Sequence, residues 1–139
     1  MVVGKLKLHL KSAQLQHNDG NFLNRMNPFV IIRVNGLEWR SNVCEGGGKE
    51  PQWTLQFFEF EVANMQHEMD IEVRDRDPLI VEPIGHCRIK CEFFCQPGGR
   101  AEWLELFYQA YGAGRIHFKS EWFPQAIVEP VPMMAPVVA

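Results

Sequence analysis

Three cysteines at four-residue intervals, Cys87, Cys91 and Cys95, are the first place to look for chemistry. On one face of a helix they would align three thiols for a metal ion or a redox site. The residues between them argue for something else. Cys87, Ile89, Cys91, Phe93 and Cys95 alternate with Arg88, Lys90 and Glu92, which is the period of a strand. That pattern points the thiols inward as small apolar residues, so buried core is expected over a metal or redox site. Cys44 stands apart, and the four do not make the framework of a secreted disulfide protein. The stretch Glu45 to Lys49 reads Glu-Gly-Gly-Gly-Lys, but it lacks the Gly-x4-Gly-Lys-Ser/Thr spacing that cradles phosphate, and Glu50 follows it. The histidines are dispersed without a His-Glu-x-x-His pattern, and no Gly-x-Ser-x-Gly elbow is present. The sequence shows no convergent set of acids, bases and nucleophiles, so the chain is read as non-catalytic, without a small-molecule substrate.

The elements that would position any site are strands. Leu6, Leu8 and Leu10 alternate with Lys5, Lys7, His9 and Lys11, giving a half-buried strand with a basic outer face. Phe29 to Val34 is a β-branched run closed by Asn35-Gly36, a hairpin signal, and Trp39 to Val43 can return antiparallel to it. Cys44 to Pro51 is a loop by composition. Leu55 to Val62, Met69 to Val73, Ile84 to Cys91, Trp103 to Phe107 and Arg115 to Trp122 complete about eight strands, with one helical turn expected at most, over Glu92 to Cys95. Trp39, Trp53, Trp103 and Trp122 fall in or beside these strands, where core packing accounts for them. Short strands separated by turn signals imply an all-β antiparallel sandwich or barrel.

The chain of 139 residues suits one domain. That domain is expected over 1–124. The segment 125–139, with Pro130, Pro132 and Pro136 among Val, Met and Ala, is expected to be extended or disordered. A loose terminus is the default for it, and a peptide that docks in a partner's groove is the alternative. The net charge of -3 gives no overall basic field for nucleic acid, so attraction to an acidic membrane would have to be local. The opening residues turn polar at once and Val2 excludes N-myristoylation. No apolar run approaches the roughly 18 to 20 residues that span a bilayer. A cytoplasmic chain with peripheral membrane association is the expectation.

In order along the chain, several segments resemble a C2 domain. Gly4 to Ala13 resembles its opening strand. Asn21 to Val30 resembles its first binding loop, which usually ends Asp-Pro-Tyr-Val. Glu50-Pro-Gln-Trp53 resembles the usual Asn-Pro-x-Trp, and Val73-Arg-Asp-Arg-Asp77 with Glu82-Pro-Ile-Gly85 resembles the third loop and its exit strand. Gly114 to Phe118 fits the last strand. The match runs from about Gly4 to Pro124 and is especially similar to the small single-domain C2 proteins of the plant elicitor-responsive type. The resemblance implies an eight-stranded Greek-key sandwich whose loops at one end bind calcium and phospholipid. Calcium takes six to eight oxygens, and a lipid phosphate can complete its coordination. Carried over by position, Asp75, Asp77 and Glu82 remain as ligands. Asn21 and Asn27 replace aspartates, and Asp19 lies near enough in sequence to compensate. Asparagine offers a carbonyl oxygen without charge, which weakens calcium affinity. No cofactor is required on this reading, and calcium enters at weak affinity.

The same loops carry apolar residues: Phe22, Leu23 and Met26 in the first, Leu79, Ile80 and Val81 in the third. Such patches mark membrane insertion or a protein interface. The alternative is that they pack beneath the loops. Some C2 domains also carry a dense lysine cluster on their concave face that recognises phosphoinositides; Arg33, Arg40 and Lys49 are scattered, and for Lys5, Lys7 and Lys11 a solvated face is the default. The expected partner is thus a phospholipid membrane surface or a membrane-associated protein, with a protein-interaction or scaffold domain, independent of lipid and calcium, as the alternative.

Overall fold

A computed structural model describes residues 2–16, 26–77 and 81–125. Eight antiparallel strands form in order: β1 (Gly4–Leu15), β2 (Pro28–Val34), β3 (Leu37–Arg40), β4 (Gln52–Val62), β5 (Glu68–Arg76), β6 (Val81–Lys90), β7 (Ala101–Tyr108) and β8 (Tyr111–Pro124). The ladder runs β3-β2-β5-β6-β7-β8-β1-β4. Between β6 and β7 it rests on a single register pair, His86 with Phe107. The ladder therefore acts as two four-stranded layers hinged at that point, β3-β2-β5-β6 and β7-β8-β1-β4. Besides the hinge itself, the chain passes between layers at β1 to β2, β3 to β4 and β4 to β5, the crossing pattern of a Greek-key sandwich.

Alternation sets the core. Leu6, Leu8 and Leu10 are 1 % exposed or less, and they join Ile32 and Val73 of the facing layer and Leu106 and Phe118 of their own in one buried cluster. The register of β1 against both neighbours shifts between Leu10 and Ser12. That bulge reverses the phase, so Ala13 and Leu15 become the inward residues. Ser120 completes an apolar face with Ile116 and Phe118, and its hydroxyl is not left unmatched: it donates to the Phe94 carbonyl at 3.3 Å and accepts the Arg100 amide at 2.9 Å.

Three expectations change. The strand placed over Trp39 to Val43 ends at Arg40. Ser41 instead exchanges bonds with Val30, through its hydroxyl and its amide, and the Asn42 carbonyl accepts the Trp53 indole N–H, which turns the chain towards β4. The cysteine alternation also breaks. The strand stops at Lys90, Cys91 to Phe93 make a 3-10 turn, and the Cys95 amide bonds back to the Cys91 carbonyl at 3.1 Å. Cys91 and Cys95 are buried and Cys87 is half-buried, as core residues should be. Burial pushes the three thiols up to about 12, 11 and 12 in chain order, which favours the neutral thiol. Trp103 lies on the outer face, stacked on His117 at 4.8 Å with the Arg115 guanidinium 4.4 Å from its ring.

Candidate functional site

The loop end is built around Asn27, the residue before Pro28 opens β2. Its amide donates to Asp75 Oδ1 at 2.7 Å, and its carbonyl accepts the Arg76 amide at 3.0 Å. Its side-chain Nδ2 donates to the Arg76 carbonyl at 3.3 Å, while Oδ1 accepts the Gly46 amide at 2.7 Å. One asparagine thus ties the β1–β2 connection to the β3–β4 connection and to the end of β5. Neighbouring backbone bonds reinforce the tie, from Gly48 to the Met26 carbonyl and from Cys44 to the Pro28 carbonyl. Gly46 has φ +67°, a left-handed turn in which a larger residue would be strained and the amide would aim differently.

Of the ligand candidates, Asp75 is paired in register with both Pro28 and Glu82, and it is only 7 % exposed. Asp77 lies one residue past the end of β5 and is exposed; Glu82 is half-buried on β6. The structure therefore brings Asn27, Asp75 and Glu82 to one end of the sandwich. Asp19 and Asn21 lie outside the described residues. Two of the described donor atoms are already hydrogen-bonded. The Asn27 side-chain oxygen already accepts a backbone N–H, one Asp75 oxygen does the same, and Asn27 brings no charge to offset a calcium ion. Among the described residues no three His, Cys, Asp or Glu side chains stand close enough to hold a metal together. Arg76, between the two aspartates in sequence, adds positive charge, 59 % exposed and 3.7 Å from Glu45. Neither it nor Gly46 stood out beforehand; the glycine run at 46–48 was the one available signal.

Of the apolar candidates, Val81 is 45 % exposed at the start of β6. Met26 is 5 % exposed and packs in the core cluster, because the chain has already turned inward towards β2. It offers no surface at the loop tip. Phe22, Leu23, Leu79 and Ile80 lie outside the described residues.

The two outer faces differ in charge. On the β3-β2-β5-β6 layer, Arg33 bonds Glu38 and Glu72, Arg40 bonds Glu38, Arg74 bonds Glu72 and Arg88 bonds Asp70, at 2.6 to 3.2 Å. Hydrogen bonds from Arg33 and then Arg40 hold the Glu38 carboxyl below its ordinary range. On the opposite layer Lys5, Lys7 and His9 face outward as expected, and a hydrogen bond from His9 at 2.8 Å lowers Glu121.

A family model described as the C2 domain matches residues 4–106. The chain is 32% identical over 78 residues to Elicitor-responsive protein 3 of Oryza sativa subsp. japonica, across 55% of this chain and 52% of that one. It spans about half the length of the plant relatives it matches and a smaller share of longer ones. Its fold is similar to a C2 domain of plant Extended Synaptotagmin 1, with a TM-score of 0.78 at 19% identity, over 91% of this chain and 98% of that one. It is also similar to a calcium-bound structure of two C2 domains of Extended-Synaptotagmin 2, with a TM-score of 0.71 at 27% identity, over 88% and 46% respectively. Among the described residues no helix is long and apolar enough to cross a membrane.

Proposed function

The chain belongs to the C2 domain family, and from that premise we propose that it is a non-catalytic module that docks on phospholipid surfaces through its loop end, with little or no help from calcium. The observation that carries this reading is the Asn27 network. In a calcium-dependent site, loop oxygens wait for the ion and bring enough negative charge to hold it. Here Asn27 Oδ1 and Asp75 Oδ1 each already accept a backbone amide, and the Asn27 bonds link the residue before β2 to Gly46 and to the end of β5. A pre-tied loop end suits a rigid platform for apolar tips, since ordering need not be supplied by the ion. Val81 supports the apolar side of the reading, 45 % exposed where β6 leaves the third loop.

Phe22, Leu23, Leu79 and Ile80 are the other proposed contacts, with Asp75, Asp77 and Glu82 as a residual cation site. The test is sedimentation with phosphatidylcholine/phosphatidylserine vesicles, comparing the wild type with a Phe22→Asp, Ile80→Asp double variant. Placing two carboxylates in the headgroup region should reduce binding at least tenfold, roughly 1.4 kcal/mol or more. Unchanged binding would remove the insertion reading, and no binding by the wild type would favour the protein-scaffold alternative.

A further inference from the structure

Leu55 is the most exposed large apolar side chain among the described residues, at 87 %, and its backbone has φ +55°. Leucine enters that left-handed region only at a cost, which asparagine or glycine largely avoids. Burial within the domain does not offset it. The strain sits in the bulged stretch where β4 slips against β1, between the pairs Leu10–Gln56 and Ser12–Gln52. Since β4 ends the ladder, the bulge presents this side chain at an open edge. Two residues on, Phe57 is 44 % exposed, with the Lys7 ammonium 4.2 Å from its ring centroid and the His9 ring at 5.9 Å.

The charges around this pair are sorted along the sheet. Register places Glu59, Glu61 and Glu121 beside Lys5 and Lys7, in the half away from the loop end. Lys119 lies opposite His9, and Lys11 sits at the bulge, in the half that holds Leu55 and leads to the loop end. Glu105, in register with Arg115, and Glu50, next to Lys49, are carboxylates of that nearer half. Neither Lys11 nor Lys119 forms an ion pair among the described residues.

We propose that Leu55 and Phe57, flanked by Lys11 and Lys119, form a second membrane contact, on the outer face of the β1-β4-β8 sheet, for an anionic phospholipid surface. The apolar pair enters the interface while the ammonium groups lie at headgroup level, the arrangement by which amphipathic surfaces hold acidic bilayers. The strained position then has a use: it keeps an exposed leucine beside Phe57 at the sheet edge. The inference rests on the phospholipid reading above, because this half of the face runs continuously into the loop end.

The full chain, a Leu55→Asn variant and the Phe22→Asp, Ile80→Asp variant are sedimented with phosphatidylcholine vesicles, with and without phosphatidylserine. Asparagine fits the left-handed backbone, so Leu55→Asn should melt at or above the wild-type temperature yet bind serine-lipid vesicles about tenfold more weakly. Equal binding by Leu55→Asn, with loss in the loop variant, overturns the second contact and leaves loop docking intact. Loss in Leu55→Asn, with binding retained by the loop variant, supports this contact and overturns the loop reading. A wild type that binds vesicles equally well without phosphatidylserine overturns the role of the lysines, and one that binds no vesicles overturns both surfaces.

Discussion

The two outer faces of this sandwich hold similar numbers of basic side chains and use them differently. On the β3-β2-β5-β6 face, four arginines lie within 3.2 Å of Glu38, Glu72 or Asp70, so the cations are already neutralised. On the β1-β4-β8 face Glu59, Glu61 and Glu121 gather beside Lys5 and Lys7, while Lys11 and Lys119, nearer the exposed Leu55 and Phe57, have no carboxylate in register. Exposed ion pairs add little stability. Their larger consequence is that they cancel the local field an anionic partner would feel. Pairing and placement, rather than the count of basic residues, decide which face can meet an acidic surface.

The largest expected effect comes from undoing that pairing. Glu38→Gln combined with Glu72→Gln leaves Arg33, Arg40 and Arg74 without their carboxylates. Each uncompensated arginine contributes about 1 kcal/mol near an anionic bilayer. Sedimentation with phosphatidylserine vesicles should therefore show affinity rising roughly tenfold or more. No gain would mean that this face cannot approach the bilayer while the domain is docked, which would sharpen the distinction between the faces.

A smaller effect is expected at the loop end. Asn27→Asp places a charged ligand beside Asp75 and gives up only the Nδ2 bond to the Arg76 carbonyl. Calorimetric titration should then show calcium affinity about tenfold above that of the wild type, following ligand charge. Equal affinity would mean that the Gly46 bond to the side-chain oxygen, not the missing charge, controls the site.

How far these features could be read from sequence depends on how local they are. The alternation of Leu6, Leu8 and Leu10 with lysines is visible in the chain and survives as the core face of β1. Eight strands and the C2 resemblance were legible for the same reason, because each motif lies within one short segment. The bulge is different. Its register shift arises from the fit of β1 against β4 and β8, so nothing near Leu55 announces a left-handed leucine. Asn27 was visible as a missing carboxylate, but its four bonds depend on the Gly46 amide, the Asp75 carboxylate and the amide and carbonyl of Arg76, which only folding brings near. Met26 was misread as a loop tip because an apolar residue before a proline looks the same in sequence whether the chain is turning outward or already entering the core.

The most direct measurement of the central claim is wild-type sedimentation with phosphatidylserine vesicles in millimolar calcium and, in parallel, in excess chelator. The Asn27 network predicts binding in both, with apparent affinities within about twofold, because that difference corresponds to only about 0.4 kcal/mol. Binding that appears in calcium and disappears in chelator would contradict it, and would show that the ion reorganises a loop end held here by Asn27.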